Sequence, residues 1–184
     1  MEVPSAVDLS SLGLVVEALS FAAERHRDQR RKDPARTPYI NHPIALMRVL
    51  CLEAKIQDPL VLCAALLHDT VEDTGTTAQE IEVRFGLAVS EVVVELTDDK
   101  RLSKAERKRL QVLHAPRASQ PARLVKLADK ICNLRDVAAS PPVGWDLGRQ
   151  QAYFDWAREV IAGLRGTHER LEALFDEAYA RRPG

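Results

Sequence analysis

The residues best equipped for chemistry fall at three places in this chain: Asn41-His42-Pro43, His68-Asp69 and Asp129. Imidazole and carboxylate groups bind divalent cations. His68 and Asp69 end the otherwise apolar run AALLHD, and a buried helix that stops abruptly in two polar residues needs a reason. Neighbours on a helix point about 100° apart, so both reach one ion only at a helix end or a distortion. Two imidazole nitrogens from His42 and His68, with oxygens from Asp69 and Asp129, leave room for water on a six-coordinate ion such as Mn²⁺. A histidine at a helix end serves equally as a cap, so the surroundings decide.

Just beyond this pair stand Glu72 and Asp73, inside the run LLHDTVEDT. Two more carboxylates there are unfavourable unless cations or bound water offset their repulsion. A hydrolase needs a group to orient and deprotonate the attacking water, and a positioned carboxylate does this. The alternative is a solvated acidic turn that caps the next helix. His26, His114 and His168 stand in charged or capping surroundings and read as surface residues.

The elements that must carry these groups read as helices, with no convincing alternation of a strand. Asp8 can cap a first helix with apolar Leu12, Val15, Val16, Leu19 and Ala23, ending near Gln29. The stretch 30–41 contains Pro34 and Pro38 and reads as a loop, after which Pro43 suits a first helical position. Asp58-Pro59 starts a buried helix through Leu67. Thr77 with Glu80, and Ser103 with Glu106, form capping boxes, and Gly86 can stop the helix between them. A helix runs from about Ala122 to Val137, and Pro141, Pro142 and Gly144 break the chain. Two last helices span roughly Arg149 to Leu164 and Thr167 to Ala180. The basic stretch Lys100 to Arg109 reads as a mainly solvated face from which Lys104 could reach a phosphate. Trp145 and Trp156 read as packing residues rather than base-stacking platforms.

With 184 residues, 46% of them hydrophobic, the chain can build one domain with a substantial core. Lys plus Arg number 26 against 27 Asp plus Glu, for a net charge of −1, which argues against a nucleic-acid partner held by bulk charge. Cys51, Cys63 and Cys132 are an odd set in apolar surroundings and read as buried free thiols. The N-terminal segment has no basic start of a secretory signal, and no apolar stretch is long enough for a membrane span. The expected setting is reducing and cytoplasmic.

Four runs in order, RRKDPARTPYINHP, AALLHDTVEDT, LTDDKRLSKAERKRLQ and LVKLADKICNLRD, resemble the hydrolase domain of the RelA/SpoT family. Within it they are most similar to the small stand-alone alarmone hydrolases of the metazoan SpoT-homologue type. The resemblance extends over roughly residues 8 to 180. It implies an all-α, multi-helix HD-type phosphohydrolase domain spanning 1–184. It implies one Mn²⁺ held by His42, His68, Asp69 and Asp129, with Glu72 and Asp73 activating water. Arg31 and Lys32 would lie near the guanine base and phosphates of a small nucleotide substrate, and Asn133, Lys104 and Tyr153 would make further contacts. Ser103 stands where the family would have proline, and both suit a helix start. The implied reaction is hydrolysis of the 3′-pyrophosphate of ppGpp and pppGpp to GDP or GTP and pyrophosphate. Two other readings compete: hydrolysis of another 2′- or 3′-phosphorylated nucleotide such as NADPH, or a sensor that binds alarmone without cleaving it. A sensor has no need of the Glu72–Asp73 pair.

Overall fold

Asp58 carries the expected start signal: its carboxylate accepts from the Leu60 N–H at 2.9 Å, with Pro59 at the first helical position. The computed structural model describes residues 9–184, with side chains from residue 11 onward. Among the described residues the architecture is all-α, and the one strand-like feature is an isolated bridge between Arg30 and Pro38. In chain order the helices are α1 (Leu9–Arg25), α2 (Asn41–Arg48), α3 (Pro59–Leu67), α4 (Thr70–Asp73) and α5 (Ala78–Phe85). There follow α6 (Leu87–Leu96), α7 (Lys104–His114), α8 (Gln120–Ala139), α9 (Leu147–Ala162) and α10 (Glu169–Tyr179).

Helix α3 is apolar all round because it is enclosed all round. Its Val61, Leu62, Ala64 and Ala65 join a core built with α2, α8, α9 and α10. Its Cys63, Leu66 and Leu67 join a second cluster with α1, α5 and α6. The polar end of α3 therefore opens between both clusters, in the middle of the molecule. The 20-residue α8 is the other axis, and its buried Leu124, Leu127, Ala128 and Ile131 share one stripe. Leu127 is fully buried one turn from the cleft. Leu127→Ala should lower stability by about 2–5 kcal/mol, read as a lower urea midpoint with an unchanged slope.

Several boundaries differ from the sequence reading, each for a physical reason. The Asp8 cap lies outside the described residues, and α1 stops at Arg25 rather than near Gln29. Helix α2 begins at Asn41, so Pro43 is its third residue, where a missing N–H still forfeits no helical bond. Thr77 and Ser103 cap as expected, accepting from the Glu80 and Glu106 N–H groups at 3.1 and 3.2 Å. Gly86, at φ 90°, ends α5 and also opens α6, a helix the sequence reading left out. Its valine-rich run has poor intrinsic helicity, and the packing of Val89, Val92 and Val93 decides it. His168, not Thr167, caps α10 by accepting from the Leu171 N–H at 3.3 Å, while the Thr167 hydroxyl donates to the Leu164 carbonyl. His26 is not a surface residue: it is 1% exposed. Cys63 and Cys132 are buried free thiols, but Cys51 is only half-buried.

Candidate functional site

His68 is the last turn of α3, and the chain leaves the helix at Asp69 (φ −99°, ψ −4°) before α4 begins. That break at the helix end lets two adjacent side chains face one point. His42, near the start of α2, comes to the same place, and one ligand atom from each of His42, His68 and Asp69 lies within 4.8 Å of the others. Asp129 reaches in from α8, with Oδ1 3.2 Å from His42 Nε2.

Both aspartates are held by neighbouring donors. Tyr39 Oη donates to Asp69 Oδ2 at 2.5 Å. Burial, and the Asp69 carboxylate beside it, push the Tyr39 phenol far above its usual range, so it remains a donor. Lys130 pairs with Asp129 Oδ2 at 2.9 Å, and Asn133 Nδ2 donates to Asp129 Oδ1 at 2.5 Å. Burial alone would raise both aspartates. Against it, His68 holds Asp69, and Lys130 with His42 holds Asp129, well below the usual carboxylate range. Burial also lowers His42, whereas His68, though pushed down by burial, is raised to about 9 by the Asp69 and Asp129 carboxylates.

On the next helix, Glu72 accepts from the Asp98 N–H at 3.0 Å and faces Arg107 Nη1 at 3.4 Å. Burial raises its pKa in spite of that N–H, which suits a group that takes up a proton. Asp73 accepts from Gln29 Nε2 at 2.8 Å and forms an ion pair with Lys100. Lys100 and Arg107 therefore face the acids; Lys100 does so from an exposed position, and the expectation of a mainly solvated face fails for Arg107.

Above the acids opens a cleft of about 690 Å³ that continues into a narrower space of about 240 Å³, the two sharing Arg31, Tyr39, His42, Glu72, Asn133 and Tyr153 as walls. Arg31 Nη2 pairs with Asp136 at 2.5 Å and faces Asn133 Oδ1 at 3.4 Å. The Lys32 carbonyl accepts from the Val143 N–H at 2.9 Å, tying the loop after α8 across the opening. Burial, with Arg149, Lys32 and Arg107 nearby, lowers the Lys104 pKa, the mark of cations crowded on one wall. Such a wall attracts anions. Tyr153 is enclosed in the cleft wall, and burial raises its phenol to about 12. Trp145 and Trp156 pack on the core edge, and each also lines part of the opening.

The HD-domain family profile (HD_4) matches residues 18–153. The guanosine-3′,5′-bis(diphosphate) 3′-pyrophosphohydrolase MESH1 of Xenopus tropicalis is 58% identical over 170 residues, covering 92% of this chain and 95% of that one. The protein of the same name from Homo sapiens is 55% identical over 173 residues, covering 94% and 97%. A solved structure, described as a metazoan ortholog of SpoT that hydrolyzes ppGpp and plays a role in starvation responses, superposes with TM-score 0.89 at 48% identity, covering 99% of this chain and 98% of that one. The chain belongs to the MESH1 family of HD-domain proteins.

HD-domain hydrolases are metal-dependent, and in this MESH1-family chain the donors fit a cation. His68 Nδ1 donates to the Ala65 carbonyl at 2.9 Å, so Nε2 is the nitrogen turned to Asp69, carrying a proton or, once that proton is lost, a lone pair for a cation. That Nε2 is buried without a hydrogen-bond partner among the described residues, 2.9 Å from Asp69 Oδ2. A nitrogen lone pair and a carboxylate oxygen so close repel each other unless a proton or metal ion meets both. His42 Nδ1 is likewise buried without a partner. Sequence reasoning missed Tyr39, Lys130, Gln29 and Arg107 in this MESH1-family site. For Lys130 there was a signal, since a lysine directly after Asp129 falls among buried positions of α8 and is only 4% exposed. For Gln29 and Arg107 there was none, because their partners are distant in the chain.

Proposed function

We propose that this chain, residues 1–184 as one HD-type domain, hydrolyses the 3′-pyrophosphate of ppGpp and pppGpp, giving GDP or GTP and pyrophosphate. The reading is supported by kinship with proteins named 3′-pyrophosphohydrolases, and chiefly by one feature of the site. That feature is an acid pair, Glu72 and Asp73, set between a His-Asp cluster and a cationic cleft. In this reading His42, His68, Asp69 and Asp129 hold one Mn²⁺, matching a mixed nitrogen and oxygen donor set. When bound, the ion supplies a Lewis acid that lowers the pKa of water and offsets phosphoryl charge.

The chain's own groups do the rest. Glu72, with its raised pKa, takes the proton from the attacking water, and Asp73 holds that water in line. Arg31, Lys32 and Lys104 draw the phosphates into the cleft, Asn133 and Tyr153 contact the nucleotide, and the loop bonded to Lys32 narrows the opening to solvent. The partner is a small nucleotide rather than nucleic acid. Among the described residues no helix is long and apolar enough to cross a membrane, and we place the protein in the cytoplasm.

The test is to incubate metal-stripped protein with ppGpp, with and without Mn²⁺, and separate the products by anion exchange. GDP and pyrophosphate should appear only with the metal. Tight binding of ppGpp with Mn²⁺ and no turnover would instead mark a sensor, and turnover unchanged after rigorous metal removal would refute the proposed centre.

A further inference from the structure

Behind the acid pair lies a buried histidine that the reaction outlined above does not use. His26 follows α1, is 1% exposed, and packs against Tyr39 with ring centroids 4.8 Å apart and the rings tilted by 34°. Its Nδ1 lies 2.6 Å from Gln29 Oε1, and Gln29 Nε2 donates to Asp73 Oδ2 at 2.8 Å. Backbone bonds hold this arrangement in place: the Gln29 N–H donates to the His26 carbonyl at 3.0 Å, and the Tyr39 N–H to the Gln29 carbonyl at 3.1 Å.

Direction runs through the chain of contacts. A carboxylate offers only acceptors, so the Gln29 amide must present its NH₂ to Asp73 and its oxygen to His26. The oxygen then needs a donor, which fixes a proton on His26 Nδ1. A flipped amide would set its oxygen against the carboxylate, a repulsive contact that no tautomer of His26 relieves. With that proton on Nδ1, His26 supplies the donor that the Gln29 oxygen needs, and Gln29 with Lys100 holds both oxygens of Asp73. His26 Nε2 is buried without a partner among the described residues, a penalty that an apolar residue of similar size would avoid.

We infer that His26 is a positioning residue for the reaction, acting through Gln29 to set the orientation of the Asp73 carboxylate. The inference rests on the role given to Asp73 above. Losing such a supporting hydrogen bond lowers activity by about tenfold to a hundredfold.

The test uses the full chain loaded with Mn²⁺, measuring kcat and KM for ppGpp, bound metal and Tm for His26→Leu, His26→Asn, Gln29→Leu, Asp73→Asn and the double variant H26L/D73N. His26→Leu should lose about tenfold to a hundredfold in kcat with KM and metal content unchanged. His26→Asn, whose amide N–H can stand near the place of the ring Nδ1–H, should regain most of that loss. In the Asp73→Asn background His26→Leu should add nothing, since its effect has no carboxylate left to act on. If His26→Leu does not fold, Gln29→Leu breaks the same relay from a half-buried position and should show the same fall in kcat. An equal loss from His26→Leu in both backgrounds, an asparagine no better than leucine, or a wild-type kcat for Gln29→Leu would overturn the relay. With Asp73→Asn still strongly impaired, these results leave the acid pair standing. Asp73→Asn with wild-type turnover would instead remove the role of Asp73 and the relay together.

Discussion

His68→Ala and Asp69→Ala should each release the metal and stop turnover in the same step. The reason lies in the shape of the site rather than in the loss of one contact. Because His68 Nδ1 is committed to the Ala65 carbonyl, Nε2 is the nitrogen left to exchange its proton for a cation. Asp69 Oδ2, the oxygen that faces His68 Nε2, also accepts from Tyr39, so its orientation is already set before a cation arrives. Removing His68 takes from Asp69 the partner that holds it ionised in a buried space, while Asp129 keeps Lys130 and His42. The expected loss in kcat/KM exceeds about 10⁴-fold, since base catalysis alone is worth about 10²–10⁴ and would be lost together with the metal. Thermal melting separates this from unfolding. A ligand at a hundred times its Kd stabilises the native state by about 2.7 kcal/mol, so Mn²⁺ should raise the wild-type Tm and leave that of either variant unmoved. One tightly bound Mn²⁺ per chain in His68→Ala would refute the assignment.

Glu72→Gln separates the second function from the first. The amide keeps the size of the side chain, and its oxygen can still accept from the Asp98 N–H. It no longer takes up a proton. Metal content and Tm should therefore match the wild type, KM for ppGpp should change little, and kcat should fall by about 10²–10⁴. The raised pKa of Glu72 has a consequence for pH as well. With Glu72 as the proposed base, turnover would need the carboxylate ionised, so activity should rise with pH through a value above the usual glutamate range, and Glu72→Gln should lose that limb. Wild-type turnover by Glu72→Gln would transfer the base role elsewhere, with Asp73 the next candidate.

Short-range features were legible in the sequence because their causes are short-range. Asp58-Pro59, Thr77 with Glu80 and Ser103 with Glu106 start helices through bonds closed within three residues, so residue type and spacing suffice. The all-α class follows from the recurrence of such signals. The abrupt polar end of α3 likewise pointed to His68 and Asp69, since an apolar helix has few reasons to stop that way.

Only the tertiary structure decided the rest. Arg31 meets Asn133 and Asp136 across 102 and 105 residues of chain, and Arg107 meets Glu72 across 35. A basic residue that pairs with a distant acid looks, in sequence, like one facing water. His26 reads as a surface residue among Arg25, Arg27 and Asp28, yet the turn after α1 buries it beneath Tyr39. Helix α6 was invisible because its valines favour extended backbone locally, and only their burial between α3 and α5 makes the helix the lower state. The chemistry available to this chain is written in residue types. Which charges face each other, and which are withdrawn from water, depends on how the helices cross.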